Sequence, residues 1–125
     1  MANYTVVVTS DGTNLVTINS GIKTNTADKT GNYTALVTDS VIFCNATGGG
    51  ITITLPTVAN AGAGFMLYVK KTDASSNTVV LDGAGAETID GSATFTLAGS
   101  SRNGVQICCD GTAWYVMGSI LSGRV

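Results

Sequence analysis

Apolar and polar residues alternate along most of this chain, and that period of two narrows its fold more than any other feature. Ile51-Thr-Ile-Thr-Leu55 puts three apolar side chains on one face and two threonines on the other, and Ala93-Thr-Phe-Thr-Leu97 repeats the pattern. Phe65, Leu67 and Val69 alternate with Met66, Tyr68 and Lys70. Val105, Ile107 and Cys109 alternate with Gln106 and Cys108. Trp114 and Val116 alternate with Tyr115 and Met117. This is the signature of half-buried strands, and no window of a dozen residues carries a 3.6-residue stripe. The punctuation agrees. Asp11-Gly12, Asp82-Gly83, Asp90-Gly91, Asn103-Gly104 and Asp110-Gly111 are tight-turn dipeptides, and Pro56 should end the Ile51 strand. The expected strands are 4–9, 15–19, 33–37, 40–45, 51–55, 65–71, 78–82, 93–97, 104–109 and 113–118.

Strands this regularly spaced by turns predict an all-β fold, an antiparallel β-sandwich or jelly-roll-like domain with an extended N-terminal arm. The 125 residues are one domain's worth, able to bury roughly two thirds of their unfolded surface. Composition shifts near residue 37. Residues 19–32 are nearly all polar and read as a linker or loop. Before them lies a possible hairpin, Val6–Val8 against Leu15–Ile18. The expected division is an arm of hairpin and linker over 1–36 and a sandwich over 37–125. A lone hairpin is marginal in water, so the arm must dock on something. Val6, Val8, Leu15 and Ile18 are therefore the candidate interface residues, toward a neighbouring subunit or something larger.

Composition removes several functions. The chain has no histidine, which excludes Ser-His-Asp and Cys-His catalysis and His-ligated metals. With six basic and eight acidic residues and no basic cluster, nucleic acid is not an expected partner. The longest apolar runs, Val6–Val8 and Phe65–Val69, are too short for a membrane helix, and the start has no signal-peptide pattern. Cys44, Cys108 and Cys109 read as free thiols. Cys108 and Cys109 point to opposite faces of a strand and cannot pair with each other, while a Cys44–Cys109 or Cys44–Cys108 bridge requires neighbouring strands.

Paired carboxylates are the remaining catalytic device. Nearly all the acids sit beside Gly, Thr or Ser in turns, where Asp serves turn geometry. Asp82, Glu87 and Asp90 have the oxygen density of a Ca²⁺ site without a known loop spacing, and read as turn residues. Neither an enzyme nor a cofactor is expected. Trp114 reads as core. Lys70-Lys71-Thr72-Asp73 reads as an exposed polar strand end with either lysine in reach of an aspartate.

From residue 32 onward the chain resembles a module of tailed-phage structural proteins, found in capsid decoration (cement) proteins and at tail-fibre tips. The resemblance rests on Asn32-Tyr33-Thr34, Asp39-Ser-Val-Ile-Phe43 and Ile51-Thr-Ile-Thr-Leu-Pro56. It continues through Tyr68-Val-Lys-Lys-Thr-Asp73, Glu87-Thr-Ile-Asp-Gly91 and Asp110-Gly-Thr-Ala-Trp-Tyr115. It implies an all-β fold, a homotrimer and a virion structural role. A short chain opening on Met favours a standalone decoration protein on the outer capsid surface, bound to the major capsid protein and made in the host cytoplasm. The alternative is a tail-fibre or head-fibre tip subunit that binds a host glycan. Only eight residues are aromatic, and Tyr4, Tyr33, Trp114 and Tyr115 are the platforms available to a sugar. The low charge, 11% of residues, predicts large uncharged surfaces that association would bury.

Overall fold

A computed structural model describes residues 23–120. In chain order the strands are β1 (Thr26–Lys29), β2 (Tyr33–Thr34), β3 (Val41–Cys44), β4 (Ile51–Thr54), β5 (Met66–Lys71), β6 (Val79–Asp82), β7 (Thr94–Leu97), β8 (Gly104–Cys109) and β9 (Trp114–Ile120). A single helical turn, α1 (Val58–Ala61), joins β4 to β5. The strands form two sheets, β1-β3-β5-β8-β9 and β2-β4-β6-β7.

Up to β6 the chain switches sheet at every strand. Odd-numbered strands build the first sheet and even-numbered ones the second. Each new strand is laid parallel to the one two before it: β3 on β1, β5 on β3, β4 on β2 and β6 on β4. The result is a short coil of stacked rungs. A parallel pair needs a long crossover, and here the intervening strand of the opposite sheet supplies it. From β7 the polarity changes. β7 returns antiparallel on β6, β8 joins the first sheet antiparallel to β5, and β9 closes it antiparallel to β8.

The expected two-sheet β architecture is present, but the sheets are mixed, which corrects the antiparallel, jelly-roll-like expectation. Alternation records which face of a strand is buried and says nothing about the direction of its neighbour. The strand Thr26–Lys29 also falls within the stretch read as a linker. It pairs with β3 through Thr26↔Val41 to Lys29↔Cys44, and β2 pairs with β4, so Thr26–Lys29 and Tyr33–Thr34 belong to the sheets. The sequence Thr-Ala-Asp-Lys offers one small apolar side chain, too little for a periodicity argument.

The core lies between the sheets. Ile42, Cys44, Leu67, Val69, Ile107, Cys109 and Trp114 face inward from one side, and Ile51, Ile53, Val79, Leu81 and Leu97 from the other; all are buried. Each large side chain contributes about 1.5–3 kcal/mol of transfer free energy. Trp114 is a core residue as expected, edge-on to Phe65 with ring centroids 6.0 Å apart.

Local chemistry sets the turns. Leu55 continues β4 with its N–H bonded to the Asp82 carbonyl. Pro56 follows, lacks an N–H and stops the strand. Thr57 then caps α1, its Oγ1 accepting from the Asn60 N–H at 3.2 Å. Asp90 and Gly91 both adopt positive φ, 49° and 80°, as a type I′ turn requires. Ile89 and Ser92 exchange two backbone hydrogen bonds across it.

Candidate interaction surface

Register and burial together define the two outer faces. On the second sheet Thr34, Thr54, Asp82 and Thr94 form one row across the strands, and Thr52, Val80 and Thr96 form the next. This face is hydroxylated, as a water-facing surface of alternating strands should be.

The first sheet is different. One row runs Asp28–Phe43–Lys70–Gly104–Ile120, the next Thr26–Val41–Tyr68–Gln106–Gly118, and the third Met66–Cys108–Tyr115. Met66, Tyr68, Tyr115 and Ile120 are 44%, 48%, 45% and 51% exposed, and Val41, Phe43 and Cys108 are partly so. Gly104 and Gly118 carry no side chains at their places in this face. The Lys70 side chain lies over Gly104, and beside it, above Gly118, is a trough of about 610 Å³ bordered by Val41, Phe43, Tyr68 and Ile120. A bulge fixes its β9 wall. Gln106 pairs with Gly118 and Ile107 with Val116, so Met117 is the extra residue, and without it Ile120 would lie off the outer face.

Half of the β9 edge is closed. Trp114 N–H donates to the Thr88 carbonyl, Asp90 N–H to the Trp114 carbonyl, and the Asp90 carboxylate accepts from the Val116 N–H at 3.1 Å.

The side chains singled out in the sequence fall as follows. Val6, Val8, Leu15 and Ile18, and the strands 4–9 and 15–19, lie outside the described residues. Asp82, Glu87 and Asp90 do not converge. The Glu87 carboxylate accepts from the Val58 N–H at 3.0 Å, at the start of α1, while Asp90 serves β9 and Asp82 sits in the threonine row. No group of three metal-ligating side chains comes together among the described residues. All three cysteines are free, with Cys44 and Cys109 buried and Cys108 partly exposed. Burial, and then the charge of Asp73, push the Cys44 thiol up to about 12. Of the candidate aromatic platforms, Trp114 is in the core. Tyr33 is half-buried, its hydroxyl donating to Asp39 at 2.8 Å and its ring 3.9 Å from the Lys29 ammonium. Tyr115 is exposed, and Tyr4 lies outside the described residues.

Lys71 overturns the expectation of an exposed polar strand end, because it is fully buried. Its Nζ donates to the Asp73 carboxylate at 3.0 Å, the Asp73 carbonyl at 2.8 Å and the Ser75 carbonyl at 3.0 Å. The second carboxylate oxygen accepts from the Ala46 N–H at 2.7 Å. Burial alone would raise the Asp73 pKa. Hydrogen bonds from Ser75, the Ala46 N–H and Lys71 outweigh it and hold the carboxyl well below the usual range. This cluster clamps the β5–β6 crossover onto the β3–β4 turn. Lys70, one residue earlier, points to the outer face and donates to the Arg102 carbonyl. The period of two placed these lysines on opposite faces, but it could not show that the inward one has three acceptors waiting.

The sequence matches no protein-family model, and no curated protein matches it either.

Proposed function

We propose that this chain is a structural protein of a tailed-phage virion, a homotrimeric decoration protein that seats on the major capsid protein at the outer surface of the shell. The observation that carries this reading is the outer face of the five-stranded sheet. It exposes Met66, Tyr68, Tyr115 and Ile120, its three central strands β3, β5 and β8 are held from both sides, and it belongs to a chain in which only 11% of residues are charged. Such a face is made to be covered. The clamp at Lys71 and the stacked rungs beneath it give a platform that needs no rearrangement to bind. Binding to the assembled shell and not to free subunits would stabilise the shell by mass action.

The experiment is co-sedimentation of the purified protein with phage shells that lack it, followed by heating of loaded and bare shells. Saturable binding and a higher disruption temperature for loaded shells are expected. No binding, together with a hit on a glycan array, would replace this reading with the fibre-tip alternative, for which the exposed Tyr68 and Tyr115 rings are the sugar platforms.

A further inference from the structure

We propose that the open flank of the sandwich, where β1 and β2 end the two sheets side by side, receives this chain's own residues 4–9 and 15–19 as a further rung of the coil. The proposal stands apart from the virion reading above and concerns a surface which that reading does not use.

The flank itself is the first argument. β1 is the last strand of one sheet and β2 the last of the other, on the same side of the molecule. Among the described residues neither has a partner on its outer side, so each presents a row of N–H and C=O groups that an added strand would bond. The interior is thinly walled there. Ala27, Lys29 and Tyr33 lie in register with inward residues of β3 and β4, yet all three are only partly buried, with the Lys29 ammonium over the Tyr33 ring. One rung further in, Ile42, Cys44 and Ile53 are fully buried.

The rule of the coil is the second. From β1 to β6 every strand changes sheet and lies parallel to the strand two before it. Carried one step toward the N-terminus, the rule asks for a strand before β1 in the second sheet, beside β2, and one before that in the first sheet, beside β1. The sequence holds two β-prone segments in that order, Tyr4-Thr-Val-Val-Val-Thr9 and Leu15-Val-Thr-Ile-Asn19. The connections fit as well. Crossings from the first sheet to the second run over residues 30–32, 45–50 and 72–78, and 10–14 is of that size. The return to the first sheet before β3 runs over 35–40, and 20–25 before β1 is as long.

Side-chain chemistry is the third. Neither segment holds a charged residue. With Val6 and Val8 turned inward from one and Val16 and Ile18 from the other, as a period of two allows, four β-branched side chains would cover Ala27 and Tyr33. Thr17 would then face outward beside Thr34, continuing the hydroxylated face of the second sheet. A hairpin of the two segments on each other would put both in one sheet and leave the other edge open.

The test uses the full-length protein. Amide hydrogen exchange read by mass spectrometry is expected to show protection over 4–9 and 15–19. Val8→Asp and Ile18→Asp are expected to abolish that protection while β3 to β9 keep theirs. Two double variants, Thr5→Cys/Asp28→Cys and Thr17→Cys/Thr34→Cys, are treated with a short bismaleimide, with the wild type as the control for Cys108. Each is expected to cross-link within one chain, read as a product of single-chain mass on a denaturing gel and located by peptide mapping. Free exchange over both segments in the wild type overturns the proposal, even where a variant fails to fold. So do links that join two chains, which would give the flank to a neighbouring copy. So does the failure of either link, which would mean a hairpin or a different dock. None of these results depends on whether the protein binds phage shells.

Discussion

Replacing Asp73 by alanine should be the most damaging polar substitution in the described residues. The change removes the carboxylate that pairs with Lys71 and that accepts from the Ala46 N–H at 2.7 Å. Lys71 is fully buried and would keep only two carbonyl acceptors for its charge. Removing one partner of a buried pair costs about 3–5 kcal/mol. In a domain of this size 1 kcal/mol moves the melting temperature by about 4–8 °C, so Asp73→Ala should lower it by at least roughly 12 °C. The double variant Lys71→Met/Asp73→Ala should recover part of the loss, because no buried charge is left unpaired. The assay is urea unfolding at fixed protein concentration, as a double-mutant cycle. The clamp also has a pH signature. The Asp73 carboxyl is depressed in the folded state relative to its ordinary value of 3.8. Its stabilisation is therefore complete above that value and is lost as pH falls through the lower folded value. The gap between wild type and Asp73→Ala should accordingly narrow in strong acid. A loss under about 1 kcal/mol at neutral pH, or a gap that does not change in acid, would show that the clamp is an ordinary surface pair.

The remaining predictions concern the core and the close turns. Trp114→Ala empties the largest buried side chain and should cost about 3–5 kcal/mol, read by chemical denaturation; a loss below 1 kcal/mol would contradict its place in the core. A Cβ at Gly99 would sit 2.0 Å from the Ser76 carbonyl oxygen. Gly99→Ala should then destabilise by at least about 2 kcal/mol, and a neutral outcome would refute that close approach. Cys44 is raised from 9.0 to about 12 in the folded protein, so folding favours the neutral thiol. That contribution is complete below pH 9 and lost as pH rises toward 12, and Cys44→Ala should flatten the alkaline limb of the stability curve.

The sequence by itself determined which residues lie on each side of the alternating strands β4, β5, β7 and β8, and of β9 as far as Val116. Alternation is local, and a side chain's face follows from its place in the pleat. It placed Ile51, Ile53, Leu67, Ile107 and Trp114 in the core. It also placed the turns at Asp90-Gly91 and Asp110-Gly111, where positive φ demands glycine. Tertiary structure alone decided the rest. Strand direction is a relation between distant segments, so the parallel rungs of β1 to β6 left no trace in the pattern. Thr26–Lys29 became a strand because β3 offered it an edge, not because of its own side chains. Lys71 is buried because Asp73 and Ser75 fold back over it, a contact set that period two cannot encode. The candidate surface divides the same way. The sequence shows Met66, Tyr68 and Tyr115 pointing outward. Only the lateral register sets them in adjoining rows and lays Gly104 beside Gly118, and only the bulge at Met117 brings Ile120 to the wall of the trough.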